Sequence, residues 1–386
     1  MGKKRLTIGL LYNPSSNWIA GAYYVQNLVH ALNACADEKK PVIKVYSKYK
    51  SQFEELSKIT HYPYLRFRPY ATHSRLYYFL HYRLQKLFKL QLASADAVGH
   101  RWEKDVVIYP IHFVNWVYDQ RKILGWIPDL QEKYLPELFT PEELAHREQQ
   151  HLCFIKNRFP IVFSSEDSRN SFLHFYPDGI QCQTFVLPFA VTHPDFSNEN
   201  IDHLKNKFGI DKPYLFCANQ FWAHKNHLFL FKAFALAKKQ GLDLQLVCSG
   251  QLRDTRNPEY TKRVQDFIST NHLERDIRIL GFIERTEQLC LMQNAYAVIQ
   301  PSLFEGWSTV VEDAKCLNKF IFLSDLSVHR EQASQNVCFF DPHDEQSLAQ
   351  KLLSQQITIT PHDYNQNVQL FGEAFLSIVN SLRSQS

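Results

Sequence analysis

The sequence lacks several features that would indicate a particular class of protein. Glycine is scarce, with 12 residues beside 17 prolines among 386, which excludes collagen-like and Gly/Pro-rich chains. No stretch approaches the length of about 18 apolar residues needed to cross a membrane, so no membrane span is expected. The eight cysteines contain no Cys-x-x-Cys pair and mostly lie in apolar runs, so neither a structural zinc site nor a disulfide framework is expected. Reduced thiols and a cytoplasmic location are the expectation.

Charge is also unremarkable in amount. Lys and Arg number 43 and Asp and Glu 39, a net charge of +4 that does not indicate nucleic-acid binding. The apolar run 6–11 after the basic start is too short for a signal peptide, and we expect it to form a first strand. Aromatic residues make up 14% of the chain, which suits large cores and sites for ring-shaped ligands.

The chain alternates buried strands and helices from end to end, in two halves. Continuous apolar strands are typical of parallel sheets covered on both faces, so we expect an α/β protein with two doubly wound, Rossmann-like domains facing across a cleft. We assign 1–190 and 211–361 to these domains, 191–210 to a polar linker, and 362–386 to a C-terminal helix that closes back. The predicted strands are 6–12, 42–46, 105–109, 161–164, 184–187, 214–218, 245–248, 277–280, 297–300 and 320–323.

The segment 301–319, PSLFEGWSTVVEDAKCLNK, carries the most chemistry. It follows an apolar strand and enters a helix near Ser308. The loop between them lies beyond the carboxyl end of the strand, where ligands of open α/β folds bind. Gly306 allows close backbone approach, and Ser308 or Thr309 can cap a helix whose free amides favour a phosphate. An ordinary capped helix with surface acids explains this pattern equally well.

This segment resembles the motif of the retaining glycosyltransferases of family 4, which have the GT-B fold. The matching residues are Pro301-Ser302, Glu305-Gly306 and Asp313-Ala314. The family's second acid is normally Glu, so Asp313 is the shorter candidate for the donor ribose, and Glu312 is its rival. Residues 216–227 resemble the family's diphosphate-binding turn, 280–283 its base-reading turn, and 337–344 its late strand and the following helix start.

In that diphosphate-binding turn, Lys225 stands at the position of the family's lysine, while Gln220 replaces its usual arginine. We expect His224 and the amides of the following helix to compensate for the lost charge. By resemblance, Lys225 and Glu305 are the catalytic residues. The residues implied to bind the donor are Gly21, Gln220, His224, Lys225, Asn226, Phe282, Glu305, Gly306, Trp307, Ser308, Thr309 and Asp313.

The first half carries weaker candidates for the acceptor side. Residues 126–137 resemble a stretch that lines the cleft in the family, which makes Asp129 and Gln131 candidates for binding substrate hydroxyls. Asp129 is also suited to closing a turn after Pro128. His112 follows the predicted strand 105–109 and faces the same end of the cleft, although a lone histidine is more often structural than ligand-binding.

A basic amphipathic stretch, 75–92, contains no acid. Either it is a cationic helix in peripheral contact with an anionic membrane, or it packs against the core with a solvated basic face.

The resemblance implies a retaining glycosyltransferase that needs no metal or cofactor and moves a sugar from a nucleoside diphosphate to a hydroxyl of a glycan or lipid-linked glycan. It also implies front-face transfer and a role in surface polysaccharide assembly. The implied location is cytoplasmic, at the inner face of the membrane if the basic stretch binds lipid. An inactive nucleotide-sugar-binding subunit and another GT-B enzyme, such as a nucleotide-sugar epimerase, are the alternatives.

Overall fold

The structure, a computed structural model, describes residues 5–14, 19–69, 83, 107–112, 123–254 and 256–384. They form two parallel sheets, each with helices, which confirms the expected α/β class. The first domain contains the sheet of strands β1–β7, and the second domain the sheet of strands β8–β13. The basic stretch 75–92 lies outside the described residues except for Arg83.

The first sheet has the order β3-β2-β1-β4-β5-β6-β7, and its paired strands run parallel. Its strands are β1 Thr7–Leu11, β2 Val42–Ser47, β3 Leu65–Pro69, β4 Val107–Ile111, β5 Ile123–Ile127, β6 Ile161–Phe163 and β7 Thr184–Val186.

The second sheet has the order β10-β9-β8-β11-β12-β13 and is likewise parallel. Its strands are β8 Tyr214–Ala218, β9 Gln245–Ser249, β10 Ile277–Ile279, β11 Ala297–Gln300, β12 Ile321–Ser324 and β13 Val337–Phe340. Strands β8, β9, β11 and β12 are buried at every residue, as their continuous apolar runs require.

In each sheet, the order in which the chain adds strands reverses once. The chain winds outward from β1 through β3 and then returns to place β4 beside β1, and β8 and β11 are related in the same way. In open parallel sheets, ligands bind beyond the carboxyl ends of strands at such a switch point. The loops after β8 and β11, which contain Lys225 and Glu305, meet at this point of the second sheet.

Helices cover both sheets. Their bounds are α1 Ile19–Ala34, α2 Lys50–Thr60, α3 Gln131–Tyr134, α4 Pro141–Lys156, α5 Glu166–Phe175, α6 Ile201–Phe208, α7 His227–Lys239, α8 Pro258–Thr270, α9 Arg285–Gln293, α10 Thr309–Cys316, α11 Ser327–Gln332, α12 Glu345–Ser354 and α13 Asn365–Ser384. Among the described residues, none of the helices is long and apolar enough to cross a membrane.

The C-terminal helix α13 packs against α1 of the first domain. Gly372 lies at the contact, where a Cβ atom would stand 2.4 Å from the carbonyl oxygen of Ala31. Glycine therefore permits the two helix backbones to approach closely. Phe375 and Val379 of α13 are fully buried in the core of the first domain.

Several elements differ from the sequence expectation. Strand β4 continues to Ile111, and Asp105, its predicted start, lies outside the described residues. Strands β3 and β5 were absent from the predicted set. The segment expected to be a polar linker contains helix α6, which buries Leu204 and is capped by Asn200.

Candidate active site

The loops after β8 and β11 bring Lys225 and Glu305 into contact. The Lys225 ammonium lies 2.5 Å from Oε1 of Glu305, and both side chains are largely buried. Lys225 ends a 3₁₀ turn, Ala223–Lys225, and the next residue, Asn226, has a left-handed backbone with φ of 61°. This turn directs the lysine across the sheet edge toward the second loop. The two loops are also joined by a backbone hydrogen bond from Leu303 to His224.

Glu305 lies in a network that keeps it ionised. Its Oε1 accepts hydrogen bonds from Ser302 Oγ and Gln300 Nε2, each at 2.7 Å. Burial alone would raise the pKa of Glu305, but the charges of Lys225 and His329 and these hydrogen bonds lower it to about 2. The carboxylate can therefore only accept hydrogen bonds at neutral pH, which suits it to binding hydroxyl groups.

His224, beside Lys225 in the chain, is buried and uncharged. Burial and the neighbouring Lys225 lower its pKa to about 3. Its Nδ1 faces Nη2 of Arg256 at 3.5 Å, and because a guanidinium only donates, Nδ1 must be the acceptor. The neutral ring adds no positive charge to this turn, and the expected role of His224 at the donor stays a prediction.

Gln220, at the position of the family's arginine, makes a hydrogen bond between two loops. Its Oε1 accepts a hydrogen bond at 2.9 Å from the backbone amide of Gln251, which follows β9. Gln220 therefore holds the loops after β8 and β9 together.

Helix α10 begins directly after the Glu305 loop. Ser308 is its N-cap, and the Ser308 hydroxyl accepts a hydrogen bond from the amide of Val311 at 3.4 Å. Among the described residues, the amides of Thr309 and Val310 have no hydrogen-bond partner. The positive end of this helix is therefore available to an anion.

Asp313 and Glu312 point to different partners. Asp313 is buried, and its Oδ1 accepts from Arg285 Nη2 at 2.5 Å and faces His193 Nε2 at 2.9 Å. Burial alone would raise the pKa of Asp313, but Arg285 and His193 hold it below its ordinary value. His193 belongs to the segment that joins the two domains, so Asp313 links the site to the domain junction.

Glu312 is equally buried but faces away from Asp313. It accepts hydrogen bonds from Lys315 at 2.8 Å, from Gln332 of α11 at 2.9 Å and from the hydroxyl of Tyr364. All of its partners lie in packed structure, and Tyr364 also accepts from the amide of Val191 at 3.1 Å.

Residues 199–368 match the model of the family described as Glycosyl transferases group 1. The second domain is thus similar to a group 1 glycosyltransferase domain. Over 165 residues it is 26% identical to the putative glycosyltransferase EpsF of Bacillus subtilis, covering 43% of this chain and 39% of that protein. Over 137 residues it is 26% identical to the O-antigen chain mannosyltransferase RfbU of Salmonella typhimurium, covering 35% and 36%. The chain thus spans less than two fifths of the length of the curated relatives it matches.

Solved structures resemble the whole chain. The crystal structure of Anabaena HepE in complex with UDP and glucose has a TM-score of 0.59 and 16% identity, and the likeness covers 98% of each chain. The GT-B fold expected from the resemblance is confirmed, with the group 1 domain forming its second half.

The motif glycine of the group 1 domain contacts the first domain. A Cβ atom at Gly306 would lie 2.4 Å from the carbonyl oxygen of Pro128 and 2.7 Å from Cβ of Asp129. Its neighbour Trp307 donates from Nε1 to the carbonyl of Phe189 at 3.0 Å. In this structure Gly306 therefore admits the backbone of the first domain, where the sequence had suggested a ligand.

The predicted acceptor-side residues lie on the first domain, opposite the group 1 domain. Asp129 contacts Gly306, and its Oδ1 also accepts from the amide of Gln131 at 3.1 Å, which closes a turn. His112 is half-buried against Trp126, with ring centroids 4.9 Å apart. Burial lowers the pKa of His112 to about 4, so the ring is neutral. The structure brings Asp129 to the Glu305 loop, whereas His112 lies against Trp126.

Three predicted donor residues stand apart from the Lys225–Glu305 pair or serve the fold. The Asn226 side chain donates to the carbonyl of Pro342 at 3.0 Å. Phe282, at the turn after β10, is 61% exposed. Gly21 is buried in the first turn of α1.

Sequence reasoning missed Arg256, Arg285 and His193. Arg285 and His193 bind Asp313, and Arg256 approaches His224. No short motif marks these residues, because each meets its partner only through the fold. In the described part of the chain, no group of three His, Cys, Asp or Glu side chains is placed to hold a metal ion.

Proposed function

We propose that this protein is a retaining glycosyltransferase that moves a sugar from a nucleoside diphosphate to a hydroxyl of a glycan or lipid-linked glycan. The observation that carries the proposal is the Lys225–Glu305 pair, which lies beside the open start of helix α10 at the switch point of the second sheet. An ammonium, free helix amides and an ionised carboxylate together suit a diphosphate joined to a sugar.

Each of these groups has a role in transfer. Glu305 accepts hydrogen bonds from hydroxyls of the donor sugar. Lys225 and the amides at the start of α10 stabilise the negative charge that develops as the bond between the sugar C1 and the diphosphate oxygen breaks. The acceptor oxygen bonds to C1 on the same face, and its proton passes to the leaving phosphate oxygen. No side chain is then needed as a general base, and no divalent metal is needed for the diphosphate.

The acceptor binds on the first domain, near Asp129 and Gln131, and Asp313 reaches the donor ribose. Support for a polysaccharide setting comes from the name of the Salmonella relative, an O-antigen chain mannosyltransferase. Support for a nucleotide-sugar donor comes from the HepE complex, which contains UDP and glucose.

Nucleotide release from a panel of UDP- and GDP-sugars, with and without an acceptor extract, tests the proposal. We expect release that depends on acceptor, persists in EDTA, and yields a product with the anomeric configuration of the donor by NMR. Lys225→Ala should lower turnover by roughly 10²-fold or more. Lys232→Ala, which removes an exposed lysine 3.6 Å from Glu345 in the same domain, is the matched control.

These arms separate the parts of the proposal. Binding of a nucleotide sugar without release by any acceptor would favour the inactive subunit. Activity lost in EDTA and restored by Mg²⁺ or Mn²⁺ would overturn the metal-free chemistry. Near-normal turnover of Lys225→Ala would overturn the role of that lysine.

A further inference from the structure

The candidate site holds little net positive charge for a diphosphate. The charge of Lys225 is already balanced by Glu305 at 2.5 Å. His224 contributes none, because its Nδ1 accepts from Arg256 and the ring is uncharged. A nucleoside diphosphate brings at least two negative charges, and the two helix amides supply only partial ones. Arg256 also approaches this turn, since its Nη2 lies 3.5 Å from Nδ1 of His224.

Arg256 is held in place by aromatic rings. Its guanidinium carbon lies 5.1 Å from the ring centroid of Trp222, which immediately precedes the 3₁₀ turn, and 5.6 Å from that of Phe139. Because Phe139 belongs to the first domain and Trp222 to the second, Arg256 lies between the two domains. A quarter of its side chain remains exposed.

Arg256 is also poorly neutralised. In the described part of the chain, the nearest carboxylate oxygen to it is Oδ1 of Asp254, 4.0 Å from Nε. That carboxylate is occupied by the loop, since it accepts from the backbone amides of Ala223, Arg256 and Asn257 at 2.8–3.2 Å. Asp254 therefore shapes the turn that carries Lys225, and the guanidinium of Arg256 keeps donors available.

We propose that Arg256 binds a phosphate group in the cleft between the domains, an inference that rests on the proposed function. The planar guanidinium, which lies near rings from both domains, can donate two parallel hydrogen bonds to phosphate oxygens. The phosphate belongs either to the donor diphosphate or to a phosphate-bearing acceptor. Arg256 supplies the positive charge that Lys225 and His224 do not provide.

Calorimetry with UDP and with GDP, on wild type and Arg256→Ala, tests the donor source. Loss of a charge-assisted contact should weaken binding by roughly 10- to 100-fold. Arg256→Lys should recover only part of this, because the ammonium cannot form the planar pair. Arg263→Ala is the control, since Arg263 is an exposed arginine 5.9 Å from the ring of Tyr260 on α8. Its binding should equal that of wild type.

Steady-state transfer tests the acceptor source. If nucleotide affinity is unchanged but the acceptor KM rises by a similar factor in Arg256→Ala, the phosphate is the acceptor's. Unchanged nucleotide affinity and unchanged acceptor KM, in a variant that unfolds at the wild-type temperature, would overturn the inference while leaving the proposed function standing. If the wild-type protein binds neither nucleotide and transfers no sugar, the proposed function fails and this inference fails with it.

Discussion

Replacing Gly306 by alanine tests whether contact between the two domains is part of the working state. The added Cβ would lie 2.4 Å from the carbonyl oxygen of Pro128 and 2.7 Å from Cβ of Asp129. Both distances are roughly 1 Å shorter than ordinary contacts. Neither neighbouring atom can rotate away, because one is backbone and the other is the first side-chain atom. The Glu305 loop and the 128–129 turn must therefore separate.

The size of the effect follows from the cost of overpacking, about 1–3 kcal/mol. If this cost falls only on the state in which the two domains touch, the ratio of touching to separated molecules decreases by roughly 5- to 150-fold. We expect kcat/KM for the acceptor to fall within this range in Gly306→Ala. Nucleotide affinity should fall much less, because Lys225 and the start of α10 lie within one domain.

Steady-state transfer and nucleotide calorimetry on Gly306→Ala measure these two effects. Gly179→Ala is the control, because its Cβ would lie 2.4 Å from the ring of Phe172, inside the first domain. It should lower the unfolding temperature without changing transfer per folded molecule. Wild-type transfer by Gly306→Ala would refute the reasoning, since the domain contact would then play no part in turnover.

The remaining predictions concern buried ionisable groups. Asp313→Asn should weaken nucleotide binding and also lower the free energy of unfolding by about 1–3 kcal/mol, because Arg285 loses its partner; calorimetry and urea unfolding measure the two. Glu312→Gln should leave nucleotide affinity unchanged yet lower stability by a similar amount, and lost binding there would identify Glu312 as the ribose ligand. Burial lowers the pKa of His112 and His151 to about 4. Because an unfolded histidine has an ordinary pKa of about 6.5, the unfolded chain binds more protons than the folded protein below about pH 6.5. The free energy of unfolding should therefore fall as the pH is lowered from about 6.5 to about 4, by about 1.4 kcal/mol per pH unit for each histidine. A free energy of unfolding that does not change with pH over this range, measured by urea unfolding, would contradict this.

The second domain could be predicted closely from sequence because its central strands are buried on both faces. Strand β8, for example, is apolar at every residue, and its predicted bounds are those in the structure. The resemblance to the glycosyltransferase family then indicated Lys225 and Glu305 in the loops after two of these strands, and the sheet order brings the two loops together. The position of the site follows from the strands themselves, because ligands of an open parallel sheet bind beyond the carboxyl ends of its strands.

The missed strands of the first domain have weaker patterns for physical reasons. Strand β3 is at the edge of its sheet, so Arg66 and Arg68 remain exposed and no continuous apolar run forms. Strand β5 is apolar but is interrupted by Gly125, where a Cβ would lie 2.4 Å from the ring of Phe154. Glycine normally weakens a strand, but here it leaves room for the packed ring.

The partners of the two acids on α10 could not be derived from spacing. Adjacent helix residues point about 100° apart, so sequence does predict that Asp313 and Glu312 face different neighbours. It does not supply those neighbours, because His193 is 120 positions from Asp313 and Tyr364 is 52 from Glu312. Both partners adjoin the path by which the chain passes between domains. Gly306 likewise contacts the first domain. One short segment therefore carries both the groups proposed to hold the donor and the contacts that join the domains. A donor that engages Asp313 must therefore compete with His193 and Arg285 for this carboxylate.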